Sequence, residues 1–159
     1  MRNDFAKHLH SAMSQDPALR LLTADIGYGL WNQIRIDYPH RFTDFGAAEQ
    51  LMIGAASGMA LSGLKPVCYS ITPFLLYRPF EWLRNFLHND QINVKLVGGG
   101  RDKDYDHLGF THWAEDDEKI MAALPGIKVF KPTMPFTTHD SPFTHFLNHR
   151  GPAYLNLSK

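Results

Sequence analysis

The 159-residue sequence holds a single cysteine, Cys68. No disulfide can form within the chain, which excludes a small cross-linked secreted scaffold and leads us to expect a reducing, cytoplasmic setting. No apolar run approaches the roughly 18 to 20 residues that cross a bilayer, and the N-terminal stretch is charged where a secretory signal is apolar. A soluble protein without membrane partners is expected. Charge of one sign is missing too: Lys plus Arg number 16 and Asp plus Glu number 16, so no broad field gathers nucleic acid. Two common ligand motifs are also incomplete. Gly98-Gly99-Gly100 is followed neither by Gly-Lys-Ser/Thr nor directly by a helix, and reads as a flexible turn rather than a phosphate loop. His107, His112 and Glu115, or His145 and His149 at i, i+4 spacing, offer metal-type ligands, but neither set has the Glu beside its first His that a zinc-protease motif uses. No protein-built metal site is expected.

What is present is an alternation of two periodicities in a chain long enough for one domain. Phe5, Leu9, Ala12 and Met13 recur at helical spacing after Asn3 or Asp4, either of which can cap a helix. A strand over 21–24 then delivers the polar Asp25 at its C-terminal end. A helix over 30–38, a strand over 41–45 and a helix over 47–61 follow, the last rich in Ala, Gly and Ser. Its low-relief surface at Ala47, Ala48, Gly54, Ser57 and Gly58 is expected to pack closely, as a subunit contact. Gly63 is placed to close this helix. Further strands are predicted over 66–71, 92–97, 127–130 and 153–157, with helices over 74–87, over 113–124 and after Ser141-Pro142. Strands alternating with helices require crossover connections. The fold class is therefore α/β: a single three-layer α/β/α domain with about six mostly parallel strands. The loops at Asp25, Asp44, Ile71 and Gly98 are expected to share the rim where such sheets bind ligands.

Glu49 stands in the first turn of the small-residue helix, where the helix dipole alone favours a carboxylate. The run around it, from Asp44-Phe-Gly-Ala-Ala-Glu49-Gln to Gly63-Leu-Lys-Pro-Val67, resembles the pyrimidine-domain signature of the transketolase family, which includes deoxyxylulose-phosphate synthases and the beta subunits of 2-oxo acid dehydrogenases. Four more segments match in order: Thr72-Pro-Phe-Leu-Leu-Tyr-Arg-Pro-Phe-Glu81, Gly109-Phe-Thr-His-Trp113, Leu124-Pro-Gly-Ile-Lys-Val-Phe-Lys-Pro132 and Gly151-Pro-Ala-Tyr-Leu-Asn-Leu157. The resemblance covers nearly the whole chain and implies the thiamine-diphosphate-binding fold, with residues 1–159 forming its pyrimidine-binding domain. It implies thiamine diphosphate as cofactor, Glu49 hydrogen-bonded to the aminopyrimidine, and Phe74 and Tyr77 as the aromatic wall. Asp25 joins the cofactor-binding residues, and His112 faces the thiazolium and substrate, with the division of roles between His112 and His107 left open. Glu49 and His112 are thus the expected catalytic residues.

The family also needs a diphosphate-binding domain carrying Gly-Asp-Gly, which holds magnesium against the diphosphate. This sequence contains no Gly-Asp or Asp-Gly dipeptide, and it is expected to lack the family's C-terminal domain. The resemblance therefore implies half a site: Mg2+ held by a partner chain bearing the diphosphate domain, and a homodimer or hetero-oligomer acting on a small sugar phosphate or 2-oxo acid. The expected function is the pyrimidine-domain subunit of a split transketolase-like transferase. A beta-type subunit of a 2-oxo acid dehydrogenase or decarboxylase is the nearest alternative, and a non-catalytic binding or regulatory module of the same fold is the other.

Overall fold

The computed structural model describes residues 1–132 and 141–159. Among these, β1 (Leu19–Thr23), β2 (Phe42–Asp44), β3 (Lys65–Ile71), β4 (Lys95–Gly99), β5 (Lys128–Phe130) and β6 (Ala153–Leu157) form one sheet in the order β2-β1-β3-β4-β6-β5. Every neighbouring pair is parallel. Each strand therefore runs the same way, and all the carboxyl ends gather at one edge, the rim expected for a ligand. The connecting helices are α1 (Arg2–Gln15), α2 (Asn32–Asp37), α3 (Glu49–Leu61), α4 (Thr72–Tyr77), α5 (Phe80–Trp82), α6 (Asp117–Ala122) and α7 (Pro142–Asn148), with a π-helical turn over Leu83–Asn89.

Alternation along the strands divides the interior in two. Leu21, Val67, Tyr69, Val97 and Leu155 face Phe5 and Leu9 of α1, Ile34 of α2, and Phe143 and Phe146 of α7. Leu22, Cys68, Leu96 and Tyr154 face Met52, Ile53 and Ala56 of α3, Leu75 and Leu76 of α4, and Met121 of α6. A sheet apolar on both faces needs helices on both, and each fully buried Leu, Val or Phe contributes about 1.5–3 kcal/mol of transfer free energy. The result is the expected three-layer α/β/α domain.

Several local expectations are corrected. The helix predicted over 74–87 breaks in the middle, because Pro79 has no N–H to continue the ladder. The chain ends α4 at Tyr77, restarts at Phe80 with Pro79 as N-cap (φ −95°, ψ 21°), and finishes in the π-helical turn. Gly98 and Gly99 are not a turn but the last residues of β4. Their missing side chains are filled by neighbours: a Cβ on Gly98 would overlap Thr72 Oγ1, and one on Gly99 would lie 2.6 Å from the Tyr69 hydroxyl. The helix predicted over 113–124 begins only at Asp117, since Trp113 is extended (φ −78°, ψ 142°). Helix α1 starts at Arg2, so Asn3 and Asp4 lie inside its first turn rather than capping it, and Asp4 sits 3.4 Å from the Met1 amino group.

Nor do the small residues of α3 form one free surface. Gly54 lies against the Trp82 ring, where a Cβ would come within 3.2 Å, and Ser57 is buried with its hydroxyl donating to Ile53 O at 2.9 Å. Only Ala47 and Gly58 of that set are exposed. Close packing is thus achieved partly within the chain. Gly63 closes α3 as expected, with φ +86° and Leu64 N–H bonded to Met59 O at 3.0 Å.

At the opposite end of β4 from the rim, Lys95 is 2% exposed. Its ammonium donates to Asn93 Oδ1 at 2.6 Å, His149 O at 2.7 Å and Gly151 O at 2.6 Å. Burial, with a smaller push from Lys65, lowers its pKa to about 8. An unfolded lysine titrates near 10.4, so between about 8 and 10.4 the unfolded chain binds more protons and folding stability rises with pH. We expect a gain on the order of 1 to 3 kcal/mol across that window, absent in Lys95→Met. Thermal melts of both chains from pH 7.5 to 10 check this, and parallel curves would remove the assignment. Gly98→Ala is expected to cost about 1–3 kcal/mol through overpacking against Thr72. Urea unfolding within 0.5 kcal/mol of the parent, roughly the scatter of a harmless substitution, would contradict it.

Candidate functional site

The rim is assembled from the ends of four strands. Asp25 follows β1 in a left-handed conformation (φ 50°). Its N–H donates to Asp44 Oδ1 at 2.9 Å, and the same oxygen accepts Gly46 N–H at 3.0 Å. One carboxylate thereby ties the ends of β1 and β2 together and sets the turn into α3. The exposed Tyr28 hydroxyl donates to Asp25 Oδ1. Asp25 itself is exposed, and its backbone N–H and one carboxylate oxygen serve the loop.

Gly46 takes φ +66°, and the chain then turns Glu49 inward at the start of α3. Glu49 is 1% exposed. Ser70 Oγ of β3, itself buried, donates to Oε1 at 2.8 Å, and Arg78 Nη1 donates to Oε2 at 2.6 Å. A carboxylate this deep needs such donors, because an uncompensated buried charge costs several kcal/mol. The guanidinium carbon of Arg78 stands 3.9 Å from the centroid of the Phe74 ring, four residues earlier on α4. Phe74 in turn meets His112 edge to face, with ring centroids 4.9 Å apart. His112 closes the short 3-10 turn Phe110–His112, and its Nδ1 lies 3.0 Å from Thr111 Oγ1. Glu49, Arg78, Phe74 and His112 therefore form one continuous cluster.

Of the residues expected at the site, Glu49, Phe74 and His112 come together. Tyr77 sits at the end of α4 with its hydroxyl bonded to Asp116, and partial burial, with that bond, raises its pKa. His107 is exposed and lies near Tyr105 rather than Phe74, with centroids 6.5 Å apart. Arg78 and Ser70 went unnoticed in the sequence. Ser70 shares the pleat face of Cys68 and so points toward α3, while Arg78 is the i+4 neighbour of Phe74; both signals are present but weak.

Beneath the cluster lies a second polar group. Asp117 Oδ2 accepts from Tyr154 OH at 2.7 Å and from Asn156 Nδ2 at 2.6 Å, all three residues being buried. Thr72 Oγ1 donates to Gly100 O at 2.8 Å, and Arg101 Nε donates to Asn156 O at 3.0 Å. These bonds pin the first residues of α4 and α6 to the ends of β4 and β6. They hold Phe74 and Arg78 in place from behind. Burial, with the Asp117 carboxylate beside it, raises the Tyr154 pKa, so its hydroxyl stays a donor.

Chemically, the arrangement offers a buried carboxylate linked through Arg78 to an aromatic face, with an imidazole edge to face against the same ring. It suits a flat, nitrogen-bearing ring that donates to the carboxylate. The sequence matches the family described as transketolase, pyrimidine binding domain, over residues 1–159. It is 32% identical to an apulose-4-phosphate transketolase subunit of Actinobacillus succinogenes over 76% of this chain and 39% of that protein. It is 34% identical to a 6-deoxy-6-sulfo-D-fructose transketolase subunit of a Clostridium species over 75% of this chain and 37% of that protein. Among solved structures, it superposes with TM-score 0.82 and 25% identity on a split gene transketolase described as an inactive beta4 tetramer, covering 99% of this chain and 50% of that one. The chain thus spans half or less of the length of these relatives. The match along its whole length, carried by a fold whose rim presents Glu49 and Phe74 together, makes this chain a member of the transketolase pyrimidine-binding-domain family.

Proposed function

We propose that this chain supplies the pyrimidine-binding half of a split transketolase-like enzyme, which binds and activates thiamine diphosphate together with a partner chain. The observation that carries the reading is Glu49: 1% exposed, yet held at the rim with one oxygen on Ser70 and the other on Arg78, whose guanidinium lies over Phe74. The residues fit the aminopyrimidine of the cofactor. Glu49 provides the acceptor or shared proton for a ring nitrogen, Phe74 a flat wall, and Ser70 a fixed donor that stops the carboxylate from rotating. When bound, thiamine diphosphate supplies an electron sink for breaking and making bonds next to a carbonyl. To His112, which meets Phe74 edge to face, we assign hydrogen bonding or proton exchange with a substrate oxygen.

Two relatives are named as transketolase subunits acting on sugar derivatives, which favours two-carbon transfer between sugars over 2-oxo acid chemistry. The diphosphate and its magnesium are assigned to the partner, because this sequence has no Gly-Asp-Gly and a diphosphate-bound Mg2+ needs oxygen ligands in octahedral array.

Calorimetry is expected to show weak or undetectable thiamine diphosphate binding by this chain with Mg2+, rising steeply once a diphosphate-domain partner is added. Tight binding by the chain alone would place the diphosphate site within it and contradict the division proposed. In the reconstituted complex, Glu49→Gln is expected to lower turnover about 10²- to 10⁴-fold, the usual range for a lost acid–base group. The substituted glutamine keeps one acceptor but turns an amide N–H toward Ser70 or Arg78, so stability should fall by only about 1–2 kcal/mol. Turnover within about threefold of the parent, roughly 0.7 kcal/mol, would reduce Glu49 to a structural carboxylate.

A further inference from the structure

We propose that Arg78 is a displaceable placeholder: in the chain by itself its guanidinium occupies the ground between Glu49 and Phe74, and an incoming aminopyrimidine must push it out. The inference rests on the pyrimidine-binding reading above and adds a regulatory element to it. Two contacts define the ground. One is a hydrogen bond to Glu49 Oε2, which Arg78 Nη1 makes at 2.6 Å. The other is the Phe74 ring, whose centroid lies 3.9 Å from the guanidinium carbon. A guanidinium and an aminopyrimidine share a planar N–C–N unit; the guanidinium donates an N–H to the carboxylate and the pyrimidine shares a proton with it through a ring nitrogen, so each satisfies both contacts and both cannot do so at once.

The asymmetry of burial says which partner moves. Glu49 is 1% exposed and fixed on α3, with Ser70 holding its other oxygen, whereas the Arg78 side chain is 44% exposed. Arg78 also stands at the elbow between α4 and α5, next to the Pro79 break, where no helical neighbour follows it directly. A long side chain at such an elbow swings into solvent at little steric cost, and its charge is readily rehydrated there. While in place it has a clear role, because removing every counter-charge from a buried carboxylate is strongly destabilising. The placeholder thus keeps the site folded before cofactor arrives. It also lowers affinity, since a site that is competent only part of the time binds with its intrinsic constant divided by that fraction.

Thiamine is the suitable probe, because it carries the pyrimidine without the diphosphate and so needs no magnesium-binding partner. Its binding to the full chain is measured by calorimetry for the parent, Arg78→Ala, Arg78→Met, Arg78→Lys and Glu49→Gln, with circular dichroism to show that each is folded. Arg78→Met removes the guanidinium from Glu49 and Phe74 while keeping an apolar side chain at the elbow, and serves if the alanine chain does not fold. We expect Arg78→Ala or Arg78→Met to bind thiamine about tenfold more tightly than the parent, corresponding to a site open roughly one-tenth of the time. Lysine, a point charge without a flat face, should fall between, and Glu49→Gln should lose binding. In the parent, the Arg78 Nε–H resonance should shift toward that of a solvent-exposed arginine as thiamine is added, a readout independent of any substitution. Glu49-dependent binding that is unchanged or weaker without Arg78, or an Arg78 resonance that stays put, overturns the placeholder alone. Absence of thiamine binding in all the chains at millimolar concentration removes the pyrimidine reading and the placeholder together.

Discussion

A carboxylate taken out of water needs donors in the same place, and the arrangement of the rim follows from supplying them to Glu49. Ser70 reaches it from the neighbouring strand, and Arg78 from the end of the next helix. For both to arrive, β3 must run its full length to Ile71 and α4 must begin without delay, so that one turn later Phe74 and Arg78 overhang the start of α3. The break at Pro79 is part of this geometry. A helix continuing smoothly from residue 72 to 89 would keep Arg78 inside a regular ladder instead of at a corner.

The polar layer beneath serves the same end. Thr72 is the first residue of α4 and bonds to Gly100 O, while Asp117, the first residue of α6, receives Tyr154 and Asn156. These bonds lie in a low-dielectric interior, where a satisfied network is rigid and a half-satisfied one is costly. Gly98 and Gly99 let that layer come close: with any side chain at Gly98, Thr72 would have to move, and α4 with it.

Much of this was legible in the sequence because it rests on periodicity. The switch between period two and period 3.6 exposes the alternation of strands and helices, and Gly63 and Ser141 mark helix ends through local backbone chemistry; the Ser141 hydroxyl accepts Phe143 N–H at 3.2 Å. Glu49 and His112 were singled out through motif context rather than through any intrinsic signal. What stayed hidden depends on contacts across the fold. Nothing local says that Trp113 is extended, since its apolar character fits a helix face equally well. Gly98 and Gly99 look like a turn until Thr72 and Tyr69 are seen to fill their missing volume. Ser70 and Arg78 lie 21 and 29 residues from Glu49, a separation at which no spacing rule operates. Tyr77 reads as a site aromatic beside Phe74, and its bond to Asp116, 39 residues on, is another contact that no local spacing announces.

The sheet has two edges, and both are short: β2 and β5 contribute three residues each. A foreign strand laid beside either would gain only a few ladder bonds before meeting loop, too few to repay the entropy of ordering it. Growth of this domain by sheet extension is therefore disfavoured at both ends. Larger assemblies are steered toward docking by helix faces and by the rim, surfaces whose side chains discriminate between partners in a way that a bare backbone edge does not.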